Sequence, residues 1–217
     1  MNPTEKFNTL LVGTTVSIMF LVIVSLSPDL HTAGVRHPIL GFIAGLLLSA
    51  GAYRLLAIVL RWLMKRSSHT LSLVLGPSYM GGTWIGWFRG HSGELRYMIE
   101  YFNQNLDSLS ITGRSFYPDG SDHGYWESEA VALDSKKGKL TFTYVFDTLS
   151  RDKPLLGIHS SILERKSGTK PPYGYNGFAH DLNDSTRIGV RSKKLSRKFI
   201  SSKTALESAQ QQFLNAE

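Results

Sequence analysis

The chain contains no cysteine. That excludes disulfides, thiol nucleophiles and cysteine-ligated zinc. The histidines, at positions 31, 37, 69, 91, 123, 159 and 180, show no HExxH and no other paired ligand spacing. No serine sits in a nucleophile-elbow pattern. Gly76-Pro-Ser-Tyr-Met-Gly81-Gly82-Thr83 has glycines near phosphate-loop spacing but lacks the lysine, and the segment after it is strand-like rather than helical. His180 and Asp181 are adjacent, and neighbours on a strand face opposite ways. Asp119 and Asp122 lie in a turn that explains them without a metal. Hence no catalytic set, cofactor or metal is expected. Acidic charge is also short: 17 Asp+Glu against 24 Lys+Arg give a net charge of +7 over 217 residues. A basic surplus suits anionic partners such as phosphates or lipid headgroups.

Two long apolar runs are present. Residues 10–26 (LLVGTTVSIMFLVIVSL) carry no charge and end at Pro28 and Asp29. Residues 38–60 begin with Pro38, which suits the first turn of a helix, and carry one charge, Arg54. Each is long enough to span a bilayer. Ser25 and Ser27 also permit a signal-peptide reading of the first run, but its flank is nearly neutral and a second run comes after it. Arg61, Lys65 and Arg66 after the second run place both termini in the cytoplasm. Gly41, Gly45 and Ser49 recur every four residues, a small-residue stripe suited to close helix packing, within the hairpin or between chains. Arg54 reads as a snorkelling cation or as one that faces a pore or lies between subunits.

From about residue 80 the hydrophobic period becomes two. Strand-like runs are 83–89, 95–103, 109–117, 125–133, 139–148, 155–165, 177–182 and 186–195, separated by turns such as PDGSDHG and SKKGK. Eight short strands without an intervening helix predict an up-and-down barrel or a sandwich. Only about 201–216 is helical in composition. The domain organisation is therefore a two-helix membrane anchor over 1–66, a linker over 67–79, a β-domain over 80–198 and a helical tail over 199–217.

The alternation places Tyr97, Ile99 and Tyr101 on one face, and Leu140, Phe142, Tyr144 and Phe146 on another. These are the interior candidates. In GGTWIGWFRG, residues 81–90, Trp84 and Trp87 fall on opposite faces of one strand, so one belongs to the core and the other does not. Arg89, Arg96, Arg114, Arg187 and Arg191 sit within strands, interleaved with aromatic residues. Guanidinium forks and ring faces are what phosphates and bases require. With Trp84, Tyr97 and Tyr144 as stacking residues, they form the candidate ligand site. Lys193, Lys194, Arg197 and Lys198 suit anionic lipid instead.

The architecture resembles the two-transmembrane, β-strand-rich effectors of bacterial antiphage signalling, the group of CD-NTase-associated protein 15 of CBASS and the related Panoptes-type effectors. The resemblance rests on the N-terminal hairpin, on Gly82-Thr-Trp84-Ile-Gly86-Trp87, whose second tryptophan stands one place early, and on Gly177-Phe-Ala-His-Asp181 before the last strand. It implies an eight-stranded antiparallel lipocalin-like barrel with a short C-terminal helix. It further implies binding of a cyclic di- or oligonucleotide made by a partner nucleotidyltransferase or cyclase, with no nucleic-acid polymer involved. The ligand would control homo-oligomerisation and disruption of the inner membrane, arresting or killing infected cells. The competing class is a tethered barrel for a lipid or other small ligand, with a scaffold or transport role. Its interior would be apolar and poor in arginine.

Overall fold

A computed structural model describes residues 8–9, 11–18, 51, 53–59, 62, 66–90, 92–148, 154–182 and 186–213. The chain divides into two compact units, residues 1–70 and 71–217. In the first, residues 11–18 and 53–59 are helical, one stretch in each apolar run. Thr15 Oγ1 donates to the carbonyl of Leu11 (2.7 Å) and Ser17 Oγ to that of Gly13 (3.0 Å), so these hydroxyls are satisfied along their own helix. Among the described residues, no helix is long and apolar enough to cross a membrane. Most of both expected spans, including Gly41, Gly45 and Ser49, lies outside the described residues. Arg54 lies in the second helical stretch and is exposed.

The second unit begins within a short helix, α1 (Ser68–Leu75), which leads into a 3₁₀ turn over Gly76–Ser78. Most of 67–79, expected as a linker, is thus helix or 3₁₀ turn, and Leu71, Leu75 and Tyr79 are buried. Eight strands come next: β1 (Gly82–Arg89), β2 (Leu95–Gln104), β3 (Leu109–Phe116), β4 (Asp122–Asp134), β5 (Lys139–Thr148), β6 (Leu155–Glu164), β7 (Gly174–Asp181) and β8 (Ile188–Ser196). Each pairs antiparallel with the next and β8 closes on β1, so the sheet is a closed up-and-down barrel. Of barrel and sandwich, closure decides for the barrel, and it removes both sheet edges. β4 starts three residues before its expected start because Phe116 pairs with Asp122 past a register shift, carrying the ladder into the turn.

Each strand sends alternate side chains inward. Inside lie Trp84 and Phe88 on β1, Met98 and Phe102 on β2, and Leu140 and Phe142 on β5. The two tryptophans of β1 separate here. Trp84 is fully buried in the barrel, with its ring centroid 5.1 Å from Phe102 and 5.7 Å from Tyr175. Trp87 points outward against a second core. Gly86 lies between them because a Cβ there would sit 2.3 Å from the Arg191 carbonyl and 2.5 Å from Met98 Cε.

That second core overturns one expectation. Tyr97, Ile99 and Tyr101 face out of the barrel, not in. Their strand is aromatic on one face and mixed on the other, which favours the wrong face when the sequence is read alone. The outward face is covered by α2 (Ser202–Phe213), whose Ala205, Ala209 and Phe213 recur every four residues along one buried stripe. Ser201 Oγ caps α2 by accepting from the Thr204 amide (3.3 Å). The Tyr101 hydroxyl donates to the Ile200 carbonyl (3.1 Å) at the helix start. The tail is therefore part of the barrel domain.

One barrel end is closed. Gln104 Oε1 accepts from the amides of Met80 (2.6 Å) and Gly81 (3.1 Å), and its Nε2 donates to the Ser78 carbonyl (2.8 Å). The Met80 carbonyl accepts from Trp84 Nε1 (2.8 Å) and Lys194 Nζ (3.1 Å). Lys194, expected on a lipid-facing surface, instead lies over the rings of Tyr79 and Trp84, and burial pushes its ammonium down to about 7.

Candidate functional site: a one-ended barrel cavity

The inward residues change character along the barrel axis. On β5 they run Leu140, Phe142, Tyr144, Phe146, Thr148, and on β2 they run back from Phe102 through Glu100 and Met98 to Arg96. Leu140 and Phe102, with Trp84 from β1, fill the closed end. Beyond them a cavity of about 320 Å³ opens toward the other end, where β1 turns into β2. That is at the low end of the roughly 300–1,000 Å³ of small-molecule sites. Trp126, Phe142, Tyr144 and Phe146 line one side, while Phe88, Met98, Ile188 and Val190 line the other. An aromatic wall facing an apolar one of mixed side chains suits a flat ring.

Two glycines make the aromatic wall possible. Gly113 pairs with Trp126 across β3 and β4, and a Cβ there would fall 2.1 Å from Trp126 Cε2. Gly157 pairs with Tyr144 across β5 and β6, and its Cβ would fall 2.2 Å from Tyr144 Cζ. Each ring thus lies flat over a neighbouring strand. From there the Tyr144 hydroxyl donates to Asp181 Oδ1 on β7 (3.4 Å). Burial first, then the Asp181 carboxylate, pushes the Tyr144 phenol up, so it remains a donor at neutral pH.

The floor is polar and buried. Tyr175 donates to Glu100 Oε2, and burial pushes the Glu100 carboxyl up to about 7 against that hydrogen bond. His159 stacks on Phe142 with centroids 4.4 Å apart at 16°, and burial pushes its imidazole down to about 3. Its Nε2 is buried without a hydrogen-bond partner. At the mouth, Arg96 donates to Glu94 Oε2 (2.5 Å) and lies 4.2 Å above the Tyr117 ring, while its Nε is buried and unpaired. His123, also at the mouth, meets Ser115 Oγ at 2.8 Å through Nδ1.

The candidate residues divide accordingly. Arg96 and Tyr144 line the cavity, and Trp84 lies beneath it in the packed end. Tyr97 lies outside, under α2. Arg114 is on the outer wall, paired with Asp122 (3.0 Å). Arg187 is outside as well, 4.4 Å above the Phe178 ring. Arg89 is exposed, donating to the Gly93 carbonyl (3.2 Å). Arg191 is exposed in register with Trp87 and Asn176. Odd and even positions on adjacent strands decide these outcomes.

No protein-family description matches this chain, and no curated protein or solved structure matches it either.

The cavity residues that the sequence did not nominate include Glu100, His123, Trp126, His159 and Asp181. Glu100 is the one carboxylate within LRYMIEYFN, and Asp181 ends the GFAHD segment. Both signals were legible. Trp126 and His159 join the site only through register, opposite Phe146 and Phe142. His180 faces away from Asp181, toward Phe178 (ring centroids 6.1 Å apart), so the adjacent pair is split by the strand. Among the described residues, no cluster of His, Asp or Glu is arranged to hold a metal ion.

Proposed function

We propose that the barrel is the ligand-sensing domain of a two-span membrane effector, and that its cavity takes one flat heteroaromatic ring, the base of a cyclic nucleotide. The observation that carries this reading is the cavity: open at one end, walled by aromatic rings, polar at its floor, with a buried guanidinium at its mouth. Rings stack on rings at about 1–3 kcal/mol per base. Arg96 and His123 stand where a phosphate attached to an inserted base would remain. The interior itself carries the carboxyls Glu100 and Asp181 against the single guanidinium of Arg96, so it suits a base better than a phosphate.

The rest of the proposal comes from the sequence. The runs 10–26 and 38–60 anchor the chain in a bacterial inner membrane. The basic flank of the second run places barrel and termini in the cytoplasm. Ligand occupancy controls self-association through the Gly41–Gly45–Ser49 stripe, with membrane damage as the output. The test is calorimetric titration of the full chain in detergent with a panel of cyclic mono- and dinucleotides. At least one should bind, and Arg96→Ala should weaken it about tenfold or more, the worth of one charge-assisted contact. Binding unaffected by Arg96→Ala would move the phosphate elsewhere. No binding across the panel would reject the nucleotide.

A second reading has its own observation. Of the five candidate arginines, four lie outside the cavity, whose walls are mostly hydrocarbon and aromatic. That suits a neutral, largely apolar ligand. Tight binding of a flat uncharged aromatic, insensitive to Arg96→Ala, would favour it.

A further inference from the structure

Tyr144, Gly157 and Asp181 occupy one row of the barrel: Tyr144 pairs with Gly157, and Gly157 pairs with Asp181. Three strands thereby build one polar feature. A glycine in the middle clears the path, the phenol crosses above it, and the carboxylate accepts the phenol's hydrogen bond at 3.4 Å. Both Tyr144 and Asp181 line the cavity, and both are only half-buried. One carboxylate oxygen is engaged by the phenol. A carboxylate has further acceptor capacity and, when ionised, donates nothing. No arginine or lysine forms an ion pair with Asp181 among the described residues.

We infer that Asp181, positioned by Tyr144, is the specificity determinant of the cavity, and that it selects a flat ring carrying an amino group over one carrying an oxo group at the same place. An amino N–H pointed at the carboxylate completes a charge-assisted hydrogen bond away from bulk water. An oxo oxygen there sets acceptor against acceptor, and neither is satisfied. A site built to pair a polar group rejects the analogue that cannot pair far more strongly than a hydrocarbon pocket rejects a misfit. The inference rests on the cavity being a ligand site, but not on that ligand being a nucleotide.

Two pairs of probes separate those questions. The first is a cyclic dinucleotide with adenine bases against its hypoxanthine counterpart. The second is 4-aminoquinazoline against quinazolin-4-one, which carry the same contrast without sugar or phosphate. The full chain in detergent is titrated with all four by calorimetry, as parent, Asp181→Asn and Tyr144→Phe. Asparagine has the same shape, and its amide presents either N–H or C=O, so it accepts both ring types. The expected result is a parent preference for the amino member of ~10- to 100-fold in at least one pair. It should collapse to within a few-fold in Asp181→Asn and shrink in Tyr144→Phe. Preference among the quinazolines with no binding of either nucleotide would reject the nucleotide reading and leave this one standing. Equal affinity within both pairs, an undiminished preference in Asp181→Asn, or no binding of any probe overturns the inference.

Discussion

Glu100→Gln is the perturbation whose consequence is most fully set by the structure. Glu100 and His159 are buried close to Tyr175, and each is held neutral by burial, with opposite effects on stability. Glu100 has its carboxyl raised from 4.5 to about 7. The folded state therefore binds a proton that the unfolded state has released between those values, and this contribution to stability falls as pH rises through that window. His159 has its imidazole lowered from 6.5 to about 3. Between those values the unfolded state holds the extra proton, and this contribution falls as pH drops. From about pH 4.5 to 6.5 the two slopes cancel, so the parent should show little pH dependence from this pair. Glutamine keeps an acceptor for the Tyr175 hydroxyl but cannot titrate. In Glu100→Gln the histidine slope is left alone, and stability should fall by ~3 kcal/mol from pH 6.5 to 4.5, two pH units at about 1.4 kcal/mol each. Above pH 7 the same variant should be more stable than the parent, because an ionised buried carboxylate has been removed. The assay is urea unfolding of the full chain in detergent, monitored by tryptophan fluorescence at half-unit pH steps. A variant whose pH profile parallels the parent's would refute the claim that Glu100 is carried as the neutral acid.

Other consequences can be checked separately. Gly157→Ala places a Cβ 2.2 Å from the Tyr144 ring; the ring must leave its place over β6, with an expected cost of about 1–3 kcal/mol in urea unfolding and loss of cavity binding by calorimetry. Phe213→Ala removes the last buried side chain of the α2 stripe and should destabilise the barrel by about 3–5 kcal/mol, read from the urea midpoint, showing that the tail is structural. Gly45→Leu, in the small-residue stripe of the second apolar run, should leave membrane insertion intact while abolishing crosslinked assemblies and dye leakage. Unchanged leakage would confine that stripe to packing within the hairpin.

Local character was legible in the residues of nearly every segment. Period-two alternation and turn chemistry located the eight strands, because a half-buried strand must alternate and a hairpin must turn. Composition alone marked the tail as helical, whereas its buried stripe of Ala205, Ala209 and Phe213 emerged only where the helix packs on the barrel. What alternation cannot supply is the sign of each face. On β2 both faces are buried, one in the barrel and one under α2, so the more aromatic face looked like the interior and was not. Closure of β8 on β1 then fixed which residues face the cavity. It left Arg96 at the mouth, sent Arg89, Arg114, Arg187 and Arg191 to the outer wall, and aligned Tyr144, Gly157 and Asp181 in one row. Those placements depend on register between strands up to about a hundred residues apart, and register is a property of the closed sheet. No single strand carries it.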